Sequence, residues 1–236
     1  MNLERLPNGP FDIIGRGHRL QAAAAKLVGR PTSAMRTRYE VDGKPVIFLH
    51  TPQTGGTSLG KALGVKRRRH ATPEERLSER WWLATYSVVA VREPYQRFRS
   101  SYWSTVDPDK PVNGLVKKYG PVIKSLTPFE FLELLAEEPS FGGSQLRFTS
   151  FPSAKKPMAD LILRFEEIKD WSRQLFEAGV VPEDFTIPHF NAKKKRPKGD
   201  AEVLGIDGDA LDDLKRKVVA FFAEDYEVLG YTPPVT

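Results

Sequence analysis

Two adjacent glycines, Gly55 and Gly56, stand between a short apolar run and a segment that can begin a helix. Glycine lets the backbone turn tightly and approach a ligand closely, because it carries no Cβ atom. The amides at the start of the following helix, around Thr57 and Ser58, would present N–H donors and the positive end of the helix dipole. This arrangement suits a phosphate or a sulfate group. The alternative is that the glycine pair only makes a tight strand-to-helix turn.

A second candidate for anion binding is Arg92, which follows the apolar run of residues 87–91. A guanidinium group at the end of a strand can grip a phosphate through two parallel hydrogen bonds. The alternative for Arg92 is a surface ion pair with Glu93 or another carboxylate.

The charge distribution also favours an anionic ligand. The formal net charge is +6, but residues 199–236 hold nine acidic residues against three basic ones, a balance of −6, so the rest carries +12. Much of that positive charge lies in residues 66–70 and 193–198. Such clusters are typical of sites for a nucleotide, a nucleic acid or a sulfated or carboxylated sugar.

These segments together resemble a known enzyme family. Residues 48–59, FLHTPQTGGTSL, are similar to the 5′-phosphosulfate loop of sulfotransferases that use 3′-phosphoadenosine 5′-phosphosulfate (PAPS). Residues 91–102, VREPYQRFRSSY, are similar to the 3′-phosphate motif of the same family. Weaker similarities to its carbohydrate-type and bacterial branch occur at residues 70–72, 163–166, 188–191 and 223–231. The resemblance covers about residues 46–231 and leaves the first 45 residues outside it.

The resemblance implies a PAPS-dependent sulfotransferase whose product is adenosine 3′,5′-bisphosphate. It assigns the 3′-phosphate to Arg92 and Ser100, and it likens the basic run at Lys193 and Lys194 to a late loop that closes over the nucleotide. A solvated basic loop is the alternative for that run. No metal is required, because amides and basic side chains would handle the phosphates. The expected cofactor-binding residues are Gln53, Thr54, Gly55, Gly56, Thr57, Ser58, Arg92, Ser100, Lys193 and Lys194.

Transfer of a sulfuryl group to a hydroxyl needs a base for the incoming oxygen and stabilisation of the leaving phosphate. His70 is the candidate base, because it precedes a helix start at Thr72 and Pro73 and matches a family segment between the two cofactor motifs. The alternative is an ordinary exposed loop histidine beside three arginines. His50 directly follows a buried strand, and we expect it to fix the loop by hydrogen bonds.

Gln53 departs from the family pattern, which carries a lysine at this position. A glutamine can donate a hydrogen bond to the bridging oxygen but brings no charge, and charge-assisted bonds are roughly twice as strong as neutral ones. Three explanations stay open: a natural variant that uses Lys61 or Arg69, a weakly active or binding-only member, and an engineered substitution. Gln53 is nevertheless the second candidate catalytic residue.

Two other classes of function compete with a sulfotransferase. Residues 55–61 approach a Walker A sequence, but Ala62 replaces the hydroxyl that would hold Mg²⁺, which argues against a P-loop kinase or NTPase. A non-catalytic RNA- or polyanion-binding protein would use the +12 region and the aromatic residues Trp81, Trp82 and Trp103. Nucleic-acid binding is the less favoured interpretation, because tryptophans more often pack a core or line a cleft.

The elements that position these residues follow from patterning. Short apolar runs predict buried strands, and capping boxes and three- and four-residue apolar steps predict helices. The predicted strands are 46–49, 87–91 and 161–165, and the predicted helices lie at 20–28, from 57, from 73, from 94 through Tyr102, 127–138 and 211–229. Alternating strands and helices predict an α/β fold, which we expect to be a three-layer P-loop-like domain with a central, mainly parallel sheet flanked by helices. Residues 1–45 are expected to be a basic arm or helical appendage, and residues 46–236 the sulfotransferase-like α/β domain.

The composition excludes several kinds of site and indicates where the protein is located and what it binds. The chain has no cysteine, which excludes a disulfide framework, a thiolate nucleophile and cysteine metal sites. No apolar run reaches the roughly 18 residues that span a bilayer, so we expect a cytoplasmic protein. The expected partner is a small-molecule or carbohydrate acceptor, and basic residues within 105–125 and 140–156 favour an acidic one. The pattern sets no expectation for the oligomeric state.

Overall fold

The computed structural model describes residues 35–65, 70, 72–107, 114–151, 154, 158–188 and 199–235. The predicted helix at 20–28 and the basic residues Lys193 and Lys194 lie outside these ranges. By contact density the chain divides into two compact units that interleave along the sequence. We call residues 16–93 and 145–193 the sheet unit, and residues 1–15, 94–144 and 194–236 the helical unit.

The described residues of the sheet unit form one open sheet with the strand order β1-β2-β3-β4. The strands are β1 (Arg36–Val41), β2 (Lys44–His50), β3 (Tyr86–Val91) and β4 (Leu161–Arg164). β1 pairs antiparallel with β2, whereas β2 with β3 and β3 with β4 are parallel. The mixed α/β class with a mostly parallel sheet is therefore confirmed. Because parallel strands end at one sheet edge, the segments that follow β2, β3 and β4 begin side by side.

Helices account for most of the remaining regular structure. In chain order they are α1 (Gly56–Ala62), α2 (Pro73–Arg76), α3 (Glu79–Leu83), α4 (Pro94–Val106), α5 (Gly114–Tyr119), α6 (Pro128–Glu137), α7 (Pro139–Gly142), α8 (Leu146–Thr149), α9 (Trp171–Glu177), α10 (Asp200–Leu204), α11 (Gly208–Phe221) and α12 (Ala223–Leu229). Two 3₁₀ helices span Pro121–Ser125 and Phe165–Glu167.

Strand β1 was not predicted from the sequence, and it lies within the first 45 residues. A two-residue turn joins it to β2, with φ of 50° at Asp42 and 74° at Gly43. Positive φ at both turn residues gives the twist that suits a tight hairpin. The Asp-Gly pair was a usable signal, since it is flanked on the amino side by a strand in which buried and exposed residues partly alternate.

The sheet unit has its own hydrophobic core around β3, whose residues from Ser87 to Val91 are all buried. Phe48 from β2, Leu59 from α1 and Trp171 from α9 belong to this core. A strand without an exposed residue in its last five positions matches the continuous apolar run that predicted it. The core therefore fixes β2 and β3 rigidly up to the points where they end.

The helical unit is built around a separate core, which includes Phe98, Phe131 and Leu214. A fully buried ion pair lies in this unit, with Arg97 Nη2 4.0 Å from Asp225 Oδ2. Arg97 also donates hydrogen bonds to the carbonyl oxygens of Gly142 and Gly143, at 3.4 and 2.9 Å. These bonds offset part of the desolvation cost of the buried charge.

The helix starts predicted from the two capping boxes are confirmed, whereas the prediction of a single helix near the C-terminus is wrong. Helix α6 begins after Thr127, whose N–H donates to Glu130 Oε2 at 2.9 Å, and α2 begins after Thr72 in the same way. The single helix predicted over 211–229 is instead α11 and α12, separated at Phe222 with φ −106° and ψ 23°. The break occurs where Phe222 packs into the core with its ring 4.9 Å from the Arg97 guanidinium. The second helix ends at Gly230 with φ 66°, as predicted.

In the described part of the chain, no helix combines the length and the apolar character that crossing a membrane requires.

Candidate functional site

The candidate site begins where β2 runs into residues 51–55, which we call the glycine loop. Two residues of the loop have left-handed backbone conformations, Gln53 with φ 68° and Gly55 with φ 71°. Thr54 is buried, and its hydroxyl donates to the Thr51 carbonyl at 2.8 Å. The loop is thus a tight, internally bonded turn that leads directly into α1.

The glycine pair is required by close packing within the protein. A Cβ atom on Gly56 would lie 2.2 Å from Cγ of His50, and one on Gly55 would lie 3.0 Å from Cε2 of Phe165. His50 is buried, stacks on Phe48 with ring centroids 5.6 Å apart, and has Nδ1 3.2 Å from the Thr51 carbonyl oxygen. The expected structural role of His50 is consistent with these contacts, and the missing Cβ of Gly56 makes room for its ring.

Arg92 reaches the glycine loop from the end of the neighbouring strand. Its Nη1 donates to the carbonyl of Gln53 at 3.2 Å, although the two residues are 39 positions apart in the chain. Its guanidinium carbon lies 4.3 Å from the ring centroid of Phe165, a cation–π contact. Glu93, the next residue, is held through its backbone. Its own N–H donates to Glu166 Oε1 at 2.9 Å, which fixes the next residue of the loop.

His70 lies against the same end of β2. Its ring centroid is 4.5 Å from that of His50, and its Nδ1 is 3.3 Å from the His50 carbonyl oxygen. A carbonyl oxygen can only accept, so Nδ1 carries the proton in this hydrogen bond and the lone pair of the neutral ring is on Nε2. Desolvation by the surrounding protein lowers the pKa of His70, and the hydrogen bond to His50 opposes this effect more weakly. The lowered pKa favours the neutral ring at pH 7, and the His70 side chain is exposed.

Gln145 is the site residue that sequence reasoning missed. Its side chain is fully buried and accepts a hydrogen bond from the Arg92 N–H at 2.9 Å and one from the Thr51 hydroxyl at 3.3 Å. Its amide nitrogen donates to the Arg92 carbonyl at 2.7 Å. The segment 140–156 around it was expected to shape the acceptor side. A lone glutamine in a polar stretch offers no periodic signal that could have singled it out.

The remaining predicted site residues fall into three groups. Ser100 lies on α4 in the helical unit, whereas Arg92 lies in the sheet unit. Lys193, Lys194 and Arg69 lie outside the described residues. Thr57 and Ser58 lie in the first turn of α1, where the Ser58 N–H donates to the Gly55 carbonyl at 3.2 Å.

The near Walker A sequence spans both the loop and the helix. Gly60 and Lys61 lie inside α1, and Gly60 is buried. In a phosphate-binding Walker A loop the second glycine and the lysine belong at the junction between loop and helix. The position of Lys61 in the last turn of α1 therefore counts against the kinase interpretation.

Comparison of the chain with protein-family models, with curated proteins and with solved structures finds no match in any of the three. The class that fold and site define is a mixed α/β protein with a glycine loop, an arginine and a neutral histidine at one edge of a mostly parallel sheet.

Proposed function

We propose that this chain is a sulfotransferase that moves the sulfuryl group of PAPS to a hydroxyl, or to an amine, of a sugar, a glycan or a small metabolite. The observation that carries the proposal is that Arg92 contacts the glycine loop and His70 contacts the end of β2, from which this loop begins. His70 contacts the carbonyl oxygen of His50, 20 positions earlier, and Arg92 donates to the carbonyl of Gln53, 39 positions earlier. Parallel α/β sheets bind ligands at this edge. The three-layer P-loop-like arrangement is part of the same proposal.

The loop fits an anionic donor on two grounds. Its glycines stand where a Cβ atom would collide with His50 and Phe165, so they allow the tight turn that leads into the first amides of α1. Arg92, which donates to the Gln53 carbonyl of this loop, carries a planar guanidinium fork whose geometry matches a phosphate. When bound, PAPS supplies the activated sulfuryl group. The resemblance assigns the 5′-phosphosulfate to residues 53–58, the 3′-phosphate to Arg92 and Ser100, and a loop over the nucleotide to Lys193 and Lys194.

His70 is the proposed general base. Its Nδ1 is held by the His50 carbonyl, so Nε2 is the atom that accepts the proton of the acceptor hydroxyl. The lowered pKa keeps this nitrogen unprotonated at pH 7, which is the state a base needs. Gln53 would donate a hydrogen bond from its side-chain amide to the oxygen that leaves. A neutral donor at this position stabilises developing charge less than a lysine would.

The proposal is tested by the shift in melting temperature with adenosine 3′,5′-bisphosphate, compared with AMP and with ATP plus Mg²⁺. At about a hundred times the dissociation constant, a ligand stabilises the folded state by roughly 2.7 kcal/mol, or about 5 to 10 °C for a chain of this size. We expect this shift with the bisphosphate, a smaller one with AMP, and loss of the difference in Arg92→Ala.

Arg173→Ala is the matched control, because it removes the same charge from an exposed position on α9. It should leave the bisphosphate shift unchanged. A shift with ATP and Mg²⁺ but none with the bisphosphate would replace the proposal with a kinase. Steeply salt-dependent binding to single-stranded RNA, without competition by the bisphosphate, would replace it with a polyanion-binding protein.

A further inference from the structure

Gln145 joins the two segments that form the candidate site. Beyond Val91, where β3 ends, its side-chain amide pairs with both backbone groups of Arg92, as an additional strand residue would. The same amide oxygen accepts the hydroxyl of Thr51, the first residue of the glycine loop. One buried side chain therefore connects the end of β3 with the start of the loop that follows β2.

The chemistry of the side chain suits this position. Arg92 presents an N–H and a carbonyl, so its partner must accept and donate at once, and a carboxamide does both without charge. A carboxylate could not donate, and it would bring a charge into a fully buried position. The backbone of Gln145 is itself held, since its carbonyl accepts from the Phe148 N–H at 2.9 Å in the first turn of α8.

The helix that carries Gln145 is anchored in the sheet unit. Phe148 and Thr149 of α8 are buried, and the Thr149 carbonyl accepts from the N–H groups of Met158 and Ala159 at 2.9 and 3.0 Å. The backbone that carries the Gln145 side chain is therefore held in place by hydrogen bonds and by burial of α8.

We infer that Gln145 is a positioning residue, which sets the spacing between the Arg92 guanidinium and the glycine loop, the two groups proposed to hold the 3′-phosphate and the 5′-phosphosulfate of one nucleotide. This inference rests on the proposed function for the identity of the ligand. The juxtaposition of Arg92 and the loop is independent of that identity. Gln145 acts through Arg92 and Thr51, and it needs no contact with the ligand.

The test measures the affinity for adenosine 3′,5′-bisphosphate by titration calorimetry, at a temperature where every variant is folded. Gln145→Met keeps the length and packing of the side chain but removes its hydrogen bonds to Arg92 and Thr51, and we expect roughly tenfold weaker binding. Thr51→Val removes the hydroxyl that contacts Gln145 Oε1 at 3.3 Å and the Ala90 carbonyl oxygen at 3.5 Å. It leaves the two bonds between Gln145 and Arg92, so we expect a smaller loss of about threefold. Thr51→Val also tests the inference if Gln145→Met does not fold.

Ser87→Ala is the matched control at the opposite end of β3. The Ser87 hydroxyl donates to Asp160 Oδ2 at 2.7 Å and accepts from the Asp160 N–H at 3.1 Å, so this variant also loses buried hydrogen bonds. Its melting temperature should fall while its affinity for the bisphosphate stays within twofold of the wild type. Equal affinity losses in Ser87→Ala and Gln145→Met, or no loss in Gln145→Met and Thr51→Val, would overturn the inference.

Hydrogen exchange in the ligand-free protein separates this inference from the proposed function. Gln145→Met should accelerate exchange of the amides of Thr51, residues 53–55, Arg92 and Glu93, and Ser87→Ala should not. If the wild type does not bind the bisphosphate, the proposed function fails and exchange alone decides. Faster exchange confined to these two segments would then support the positioning role, and unchanged exchange would refute it.

Discussion

The side chain of Gln53 and its backbone serve different purposes at the candidate site. The backbone carbonyl accepts from Arg92, and the left-handed conformation with φ 68° turns the chain toward Gly55. A residue with a Cβ atom is strained in this conformation by roughly 1 to 2 kcal/mol. Lysine and glutamine bear this strain equally, so a change of side chain at this position affects charge without affecting the turn.

Gln53→Lys should therefore retain sulfuryl transfer or raise it, by up to about a hundredfold, because a charged donor stabilises the leaving oxygen better. The melting temperature should not change. Steady-state turnover with a panel of hydroxyl acceptors measures the effect, and Gln174→Lys on α9 controls for the added charge. A fall in turnover at unchanged stability would exclude Gln53 from the reacting centre.

His70 connects protonation with both activity and stability. Its folded-state pKa lies below the ordinary value of 6.5, so the rising limb of kcat/KM with pH, which reports the free enzyme, should have its midpoint below 6.5. His70→Ala should abolish transfer, remove this limb and leave bisphosphate affinity largely intact. His18→Ala provides a control of the same chemistry. Unchanged turnover in His70→Ala would eliminate this histidine as the base.

The same shift has a defined sign for folding. Below about pH 6.5 the unfolded chain binds a proton at His70 that the folded protein takes up only at a lower pH. His70 therefore makes the free energy of unfolding rise with pH between those two pKa values and leaves it constant above them. The difference in unfolding free energy between His70→Ala and the wild type should change with pH only in that window.

At the scale of elements, the strand–loop–helix unit depends on the close fit of His50 and Gly56. Three segments are in contact there, namely the end of β2, the start of α1 and the loop that carries His70. The ring of His50 fills the space that a Cβ of residue 56 would occupy, and His70 packs against the same ring. Displacing this ring would move the start of α1 and the base together.

Gly56→Ala tests this dependence. We expect a destabilisation of about 1 to 3 kcal/mol from overpacking, together with loss of bisphosphate binding. Thermal unfolding and calorimetry measure the two effects. Gly199→Ala is the control, since a Cβ there has no neighbour within 4 Å and the backbone needs no positive φ. Normal stability and binding in Gly56→Ala would show that the loop tolerates a shift of His50.

At the scale of the whole molecule, the chain folds into two units, whose segments alternate along the sequence. It leaves the sheet unit after Glu93, returns at Gln145 and leaves again after Lys193. The predicted boundary at residue 45 was drawn from composition, whereas the units are defined by which hydrophobic faces pack together. Trp82 packs in the sheet unit and Trp103 packs against the core of the helical unit, so neither offers a fully exposed ring for base stacking.

The sequence alone determined the elements whose cause is local. The apolar runs of β2 and β3, the capping boxes before α2 and α6, and the glycine end of α12 follow from periodicity and from side chains within four residues. The order of the glycine loop and Arg92 after successive strands followed in the same way. Each depends on short-range patterns, which a single sequence displays.

Only the tertiary structure decided how these pieces meet. The break at Phe222, the contact of Arg92 with Gln53 and the neutral tautomer of His70 depend on residues distant in sequence or on burial. Gln145 shows this most clearly, because its partners Thr51 and Arg92 lie 94 and 53 positions away. A buried amide is satisfied by whichever backbone groups the folded chain brings beside it, and no local pattern specifies those groups.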